Sequence, residues 1–474
     1  MTAPPTPFNS GDPVNIGFGG ATVTLVEGAT FCLSDGRGDV LPGRSHGLFV
    51  RDARVLSRWE LRVDGQPAEP LSVQAPEPFV AKFILRRSPR AGLADSTLLL
   101  VRERLIADGL RETISLHNLD DESTVVALML HADADFADLF SVKEGRAPLG
   151  GADMTVRDDE LVLTDRTDRI RGVTVTAPGD PIVLPGSFNW RIVVPPRQSW
   201  QAEIVVQPTW ANQNVKTRFR SGEHQESSGP AHKIEAWRDT ATKLEAEHPA
   251  LTQMLRRSES DLGALLIHDD TEDGPPFVAA GAPWFMTLFG RDSLLTAWMA
   301  LPLDVGVSVG TLQQLAEAQG RRVDPITEEQ PGRILHEIRG GPASTDVLGG
   351  TIYYGSVDST PLFVMLLAEC WRWGADENFV RSLLPAADAA LAWAKRYGDR
   401  DGDGFIEYRR ATDRGLINQG WKDSFDGIND ATGHTADPPI ALCEVQGYLY
   451  AALLARAELT DAFGEPGTAT RLRE

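Results

Sequence analysis

The chain has 474 residues, 42% hydrophobic and 24% charged, which is ordinary for a globular protein but too long for one core, so roughly two or three domains are expected. Its net charge of −21 sets up a field that repels nucleic acid and leaves neutral ligands such as sugars untouched. Cys32, Cys370 and Cys443 are odd in number and far apart, which excludes a disulfide framework and a zinc spacing and fits a reducing compartment.

Met1 to Pro7 carry three prolines and neither a basic nor an apolar leader segment, so no secretory signal is expected. The longest apolar run, Pro361 to Cys370, is too short to span a bilayer. A cytoplasmic protein with no membrane partner is expected.

Up to about residue 210 the pattern is that of strands. Ala21 to Val26, Trp59 to Val63 and Glu112 to Leu116 alternate, Val125 to Met129 is apolar, and Asn189 to Val194 and Gln201 to Val206 follow. Asp64-Gly65, Asn118 to Asp121 and Pro178-Gly179 supply turns, so residues 1–210 are expected to form an antiparallel β-sandwich. Within it, the acidic run Asp133 to Asp138 is expected as a strand with a solvated face, or else as a loop reaching the second half. Ala211 to Pro230 is polar and rich in Gly, Ser, Asn and Gln, and 211–235 is expected as a linker.

Helices are expected over 236–474. Leu251 to Ile267 has helical spacing, Asp292-Ser293 can start a helix, and Thr311 to Ala318 forms another. Ser359-Thr360-Pro361 combines a hydroxyl cap with a first-turn proline, and the helix it opens, Leu362 to Trp373, is apolar on most faces and therefore buried on several sides. Glu377 to Tyr397 and Ile440 to Leu459 complete the set.

Three loops between these helices mix aromatics, carboxylates and glycine: Pro283 to Ser293, Tyr353 to Pro361 and Asn418 to Gly427. Aromatic faces stack on the C–H face of a pyranose, while charged and amide groups take its hydroxyls in directed hydrogen bonds. Arg291-Asp292 alone reads as a capping Asp beside a surface Arg; with Trp284, Phe285 and Gly290 attached it reads as a sugar contact. A Trp421-Lys422-Asp423 triplet alone reads as a surface aspartate. Its flanking aromatics would desolvate the carboxyl and raise its pKa, as a general acid requires, although the adjacent lysine acts the other way.

With those loops in view, the helical half resembles the amylo-α-1,6-glucosidase (glycogen debranching) group of six-hairpin (α/α)6 toroid glycosidases. The pieces that carry the likeness are Trp284 to Ser293, Pro331 to Glu337, Tyr353 to Pro361, Gly420 to Gly427 and Glu444 to Tyr448. The first half resembles the sandwich ahead of that toroid in bacterial members, through Gly47 to Ser57 and Ala134 to Phe140. The implied fold is an N-terminal antiparallel β-sandwich followed by an (α/α)6 toroid. The implied activity is that of an inverting, exo-acting α-glucosidase on an α-glucan or small glucoside, with no cofactor and no metal.

The resemblance also implies roles. Arg291 and Asp292 would bind the terminal sugar, Asp423 would be the acid, and Trp421 would line the same subsite beside Lys422. Trp284, Phe285, Tyr354, Asp358 and Glu337 would face the cavity. A second carboxylate, roughly 6.5–9.5 Å from the acid, would activate water. In the family that base lies late in the toroid, whereas about fifty residues follow Asp423 here. A twelve-helix ring needs roughly 300 residues, so a partial toroid in a truncated chain is expected over 236–474, with the base beyond residue 474. Glu337, Asp358 and Glu407 stand as substitutes of equal rank. The alternative is a non-catalytic or partner-dependent carbohydrate-binding fragment.

Asp399 to Ile406 matches the first half of a calcium loop, with Asp at positions one, three and five and Gly at six. Arg410 stands where the bidentate Glu belongs, so a tight Asp-Gly turn is favoured over calcium.

Overall fold

The computed structural model describes residues 22–89, 96–148, 150–268, 274–341, 345–346, 348–422, 424, 426–464 and 466–473. The first half is built from antiparallel sheets. A nine-stranded sheet runs Ala152–Arg157, Glu160–Asp165, Gly172–Thr176, Ser199–Trp210, Leu110–Asn118, Leu98–Ile106, Val80–Arg86 and Glu69–Glu77, with Gln213–Asn214 paired to Ser199–Trp210. A four-stranded sheet orders Ile182–Leu184, Ser187–Val194, Thr124–Asp133 and Arg58–Val63, and another joins Val23–Glu27, Thr30–Ser34, Gly47–Val50 and Ala53–Leu56.

Period-two patterning sets the register. Along Thr124–Asp133, Val126, Leu128, Leu130 and Ala132 are buried while Val125 and Met129 face outward. The inward set joins Leu61, Leu100, Ile114, Phe188, Ile192 and Ile204 in one core. That core also holds charge. Arg102 and Arg104, on the inner side of their strand, both bond to Glu112, at 2.8 and 2.7 Å, and Arg102 reaches Asp39. Each charge is matched, the condition under which burial is tolerated.

The second half is helical: α1 (Leu139–Lys143) lies ahead of it within the strand half, then come α2 (Gly229–Thr240), α3 (Pro249–Ala264), α4 (Arg291–Ala300), α5 (Val305–Glu317), α6 (Ser359–Arg372), α7 (Glu377–Trp393), α8 (Cys443–Phe463) and α9 (Pro466–Arg473). Ordered helix begins at Gly229, inside the segment expected as linker, and α3 stops at Ala264 to leave Leu266–Ile267 as a short strand. Asp304 caps α5 through the Gly306 N–H at 2.7 Å and Asp376 caps α7 through Phe379 at 3.0 Å. As its composition predicts, α6 is buried on most sides: Leu362, Phe363, Val364, Leu366, Leu367 and Cys370 lie in the helical core with Leu294 and Leu312. Burial pushes the Cys370 thiol up to about 12, which makes it inert. All three cysteines are free. Among the described residues no helix is long and apolar enough to cross a membrane.

The halves meet through specific pairs. Glu27 accepts from Lys233 at 3.1 Å and pairs with Arg218 at 2.8 Å, and Arg238 pairs with Glu77 at 3.0 Å. The acidic run is not a solvated strand. The strand ends at Asp133, Asp135 is buried against Arg54, and Asp138 caps α1 through the Phe140 N–H at 2.9 Å. This is the loop that reaches the helical half.

Candidate active site

Two of the loops singled out in the sequence run into the first turns of α4 and α6, and the third is followed by residues 428–442 before α8 begins. Gly290 sits where α4 and α6 start side by side, and a Cβ there would meet the Leu335 carbonyl oxygen and Ser359 Oγ. This close approach lets Arg291 Nη1 donate to Asp358 Oδ2 at 3.1 Å, with side chains 7% and 2% exposed. Ser356 Oγ donates to Asp358 Oδ1 at 2.6 Å. With both oxygens engaged, Asp358 makes no capping bond to α6, although it occupies the cap position. The expected hydroxyl cap is corrected accordingly: Ser359 is already helical, and its Oγ meets Ser356 Oγ at 2.6 Å. Asp292, in the first turn of α4 where the helix dipole favours a negative charge, has a side chain 41% exposed.

A second corner gathers around Arg339. Its Nε donates to Glu337 at 2.8 Å, its Nη2 donates to the Trp284 carbonyl at 3.1 Å, and its guanidinium lies 5.2 Å from the Phe289 ring centroid. Burial raises the Glu337 carboxyl, against the lowering pull of Arg339. Trp284 packs edge-on against Phe31 and Phe49 at 6.0 and 5.8 Å, so its ring joins the two halves. Phe285 is 38% exposed, with Lys143 Nζ 4.7 Å from its ring centroid. Tyr354 is buried, and its hydroxyl donates to the Ala318 carbonyl at 2.8 Å.

Between these corners lies His336, 7% exposed, with rings of Phe289 and Tyr353 edge-on at 5.6 and 6.0 Å and a buried Nδ1 without a hydrogen-bond partner. Burial first, then the charges of Arg291, Arg339 and Arg333, push its pKa down to about 3. A depressed histidine pKa means that the unfolded chain binds a proton which the native chain refuses. Stability is therefore lost as pH falls from about 6.5 toward about 3, at up to about 1.4 kcal/mol per pH unit. Urea midpoints measured across that window should fall less steeply for His336→Asn than for the parent chain; equal slopes would rule out His336 as the source.

Trp421 is 53% exposed, and Lys422 Nζ lies 5.7 Å from its ring centroid. Asp423 lies outside the described residues. The segment before it is tied down: Asn418 accepts from Tyr408 Oη at 2.8 Å and from the Gly420 N–H at 3.1 Å, and it donates to the Lys422 carbonyl. Two residues of this neighbourhood were not singled out from the sequence, although they lie within a segment that was. Glu444 opens α8 and Tyr448 follows one turn later on the same face. Burial raises the Tyr448 hydroxyl, helped by the charges of Asp358 and Glu444, which puts all three in electrostatic range. The i, i+4 spacing just inside a helix start was the available signal.

The structure thus brings Arg291 and Asp358 together in one corner, within electrostatic range of Tyr448, and Glu337, Phe285 and Arg339 in another. The substitutes for a base are engaged elsewhere: Glu337 by Arg339 and Asp358 by Arg291. Glu407 accepts from the Arg400 N–H at 2.8 Å and stands with Asp399, Asp401 and Asp403, their ligand oxygens all within 4.8 Å of one another. The Asp-Gly turn is present, with Gly402 and Gly404 N–H groups donating to Asp399 at 2.7 and 3.1 Å, and the same four carboxylates could hold a cation.

Residues 25–205 match the N-terminal domain of some glycogen debranching enzymes. No curated protein matches the chain. Over 95% of its length the chain resembles a protein described as a kojibiose phosphorylase from the human microbiome, with a TM-score of 0.57 and 8% identity, covering 67% of that chain. At that identity the likeness speaks to the fold: an antiparallel sandwich followed by a helical region consistent with a partial α/α toroid. A rhamnosidase from Klebsiella oxytoca with rhamnose bound overlaps 88% of this chain and 68% of its own, at 12% identity and a TM-score of 0.34, which is too low to carry an argument. The family match covers the strand half, and the likeness in fold covers both halves.

Proposed function

We propose that the chain is an inverting, exo-acting α-glucosidase, most like amylo-α-1,6-glucosidase, acting on an α-glucan or small glucoside. The observation that carries this reading is the buried Arg291–Asp358 pair at the adjoining starts of α4 and α6, with Asp292 exposed beside it. Arg291 is held rigidly enough to fix the first turn of α4, and Asp292 can then accept sugar hydroxyls from a preorganised position. Asp423 protonates the glycosidic oxygen, and a second carboxylate activates water on the opposite face. Trp421 offers an apolar face to the ring.

The likeness to a protein described as a phosphorylase favours a second reading. In phosphorolysis, inorganic phosphate is itself the nucleophile, so the acid is needed and a water-activating carboxylate is not. The two are separated by incubating the purified chain with isomaltose, panose and kojibiose, with and without phosphate. Glucose released without phosphate supports hydrolysis. Glucose 1-phosphate formed only with phosphate supports the second reading. Calorimetric binding with no product of either kind would leave a carbohydrate-binding protein.

A further inference from the structure

We propose that the junction between the halves holds a binding site for a small phosphorylated metabolite, with Lys216 and Arg220 as its anion contacts and Trp237 as a donor on its inner wall. This site stands on a cavity of its own and is independent of the sugar-site reading above.

The polar segment that leads into α2 is fastened along its length, although its composition reads as a linker. The Val215 N–H donates to the Pro208 carbonyl at 2.8 Å, the Arg218 N–H to the Ala107 carbonyl at 3.3 Å, and Arg111 Nη1 to the Arg220 carbonyl at 2.7 Å. The Gly229 N–H donates to the Arg218 carbonyl at 2.8 Å, and a Cβ on Gly229 would meet Arg218 at 2.9 Å. The segment therefore crosses the first turn of α2 in a close approach that glycine permits. The backbone that carries Lys216 and Arg220 is preorganised, which lowers the ordering cost of binding.

Between this segment and α2 lies a cavity of about 1060 Å³. One face of α2 borders it: Gly229, His232, Lys233, Ala236, Trp237 and Thr240 recur at helical spacing. Phe219 and Leu266 add buried apolar wall. The charges around the cavity fall into two sets. Arg218 and Lys233 are committed, since both pair with Glu27, at 2.8 and 3.1 Å, and Arg218 also pairs with Asp108 at 2.8 Å. The carboxylates of the wall are committed too: Asp304 caps α5 through the Gly306 N–H at 2.7 Å, and Glu223 accepts from the Arg220 N–H at 2.9 Å. Lys216 and Arg220 are exposed on the rim, and their side chains make no ion pair among the described residues.

Trp237 points the same way by a different route. It is 6% exposed, and its Nε1 has no hydrogen-bond partner. Its Cε3–Cζ3 edge faces Gly263 of α3, where a Cβ would lie 2.8 Å from the ring, so its Nε1 edge is turned away from α3. A buried donor of this kind is satisfied by an entering acceptor. Two rim cations, an inner N–H and an apolar wall match a ligand with a dianionic head and a body that carries an acceptor. That is a phosphate monoester; a neutral sugar would leave both cations unused. The net charge of −21 does not oppose this, because at physiological ionic strength exposed charges beyond roughly 8 Å are largely screened and the local cations decide.

The test is calorimetry of the full chain with glucose 6-phosphate, AMP and inorganic phosphate, alongside thermal midpoints. At least one of the two esters should bind, and more tightly than inorganic phosphate, which has no body to meet the wall; the ester that binds shows whether that body is a sugar or a nucleoside. Lys216→Ala and Arg220→Ala, both at exposed positions, should each weaken that ester about tenfold at an unchanged midpoint. Trp237→Phe keeps an aromatic ring and removes the N–H, and should weaken the ester about fivefold. Parent chain that binds neither ester, or that binds inorganic phosphate as tightly as both, overturns the proposal. So does ester binding that is indifferent to Lys216→Ala and Arg220→Ala, and parent-like affinity in Trp237→Phe overturns the role given to its N–H.

Discussion

Asp423→Asn is expected to lower the rate of product formation by roughly 10²–10⁴-fold, the usual contribution of a positioned general acid. The change keeps shape and removes the transferable proton, so sugar affinity and thermal midpoint should stay near those of the parent. A loss confined to kcat, with KM little altered, is the signature of an interaction made only in the transition state. The assay is initial rates on isomaltose or panose, with calorimetry on the same samples. Parent-like kcat in the variant would remove Asp423 from the role and turn attention to Glu444, the half-buried carboxylate at the start of α8.

Arg291→Met is expected to cost about 3–5 kcal/mol of stability, because it leaves the carboxylate of Asp358 buried with only Ser356 to satisfy it. An unpaired buried charge costs more than the pair contributed, so the cost should be cycle-dependent. Asp358→Asn added to Arg291→Met should recover part of the loss, although it is destabilising in the parent chain. Urea titrations of the four chains measure this. The same substitution frees the first turn of α4 and should abolish measurable sugar binding under conditions where the double variant is fully folded. Additive losses across the cycle would mean that the pair is not the coupled unit its geometry describes.

The sequence showed most of the strand half because its rules are local. Alternation along Thr124–Asp133 sorts inward Val126 and Leu128 from outward Val125, and Asp64-Gly65 takes the left-handed turn, with φ of 51° and 79°, that such a pair favours. The loops that carry the candidate site were legible for a similar reason: their composition suits one chemistry and little else. What could not be read was partnership across long separations. Asp135 reads as solvated until Arg54, 81 residues away, is seen beside it. Ser359 reads as a cap until Asp358 is seen to be turned toward Arg291, 67 residues earlier. Trp284 reads as a sugar platform, but Phe31 and Phe49 of the strand half meet its ring. The contact of Lys143 with the Phe285 ring carries no local signal, because the two residues come from different halves. In each case short-range pattern gave the element and a distant side chain decided its use.

We propose that this chain inverts configuration while releasing glucose from an α-glucoside. Proton NMR of the anomeric region during the first minutes of panose turnover, in buffer without phosphate, tests it most directly. β-Glucose is expected to appear first and to mutarotate to the equilibrium mixture afterwards. First-formed α-glucose, or panose left intact by folded protein, would contradict it.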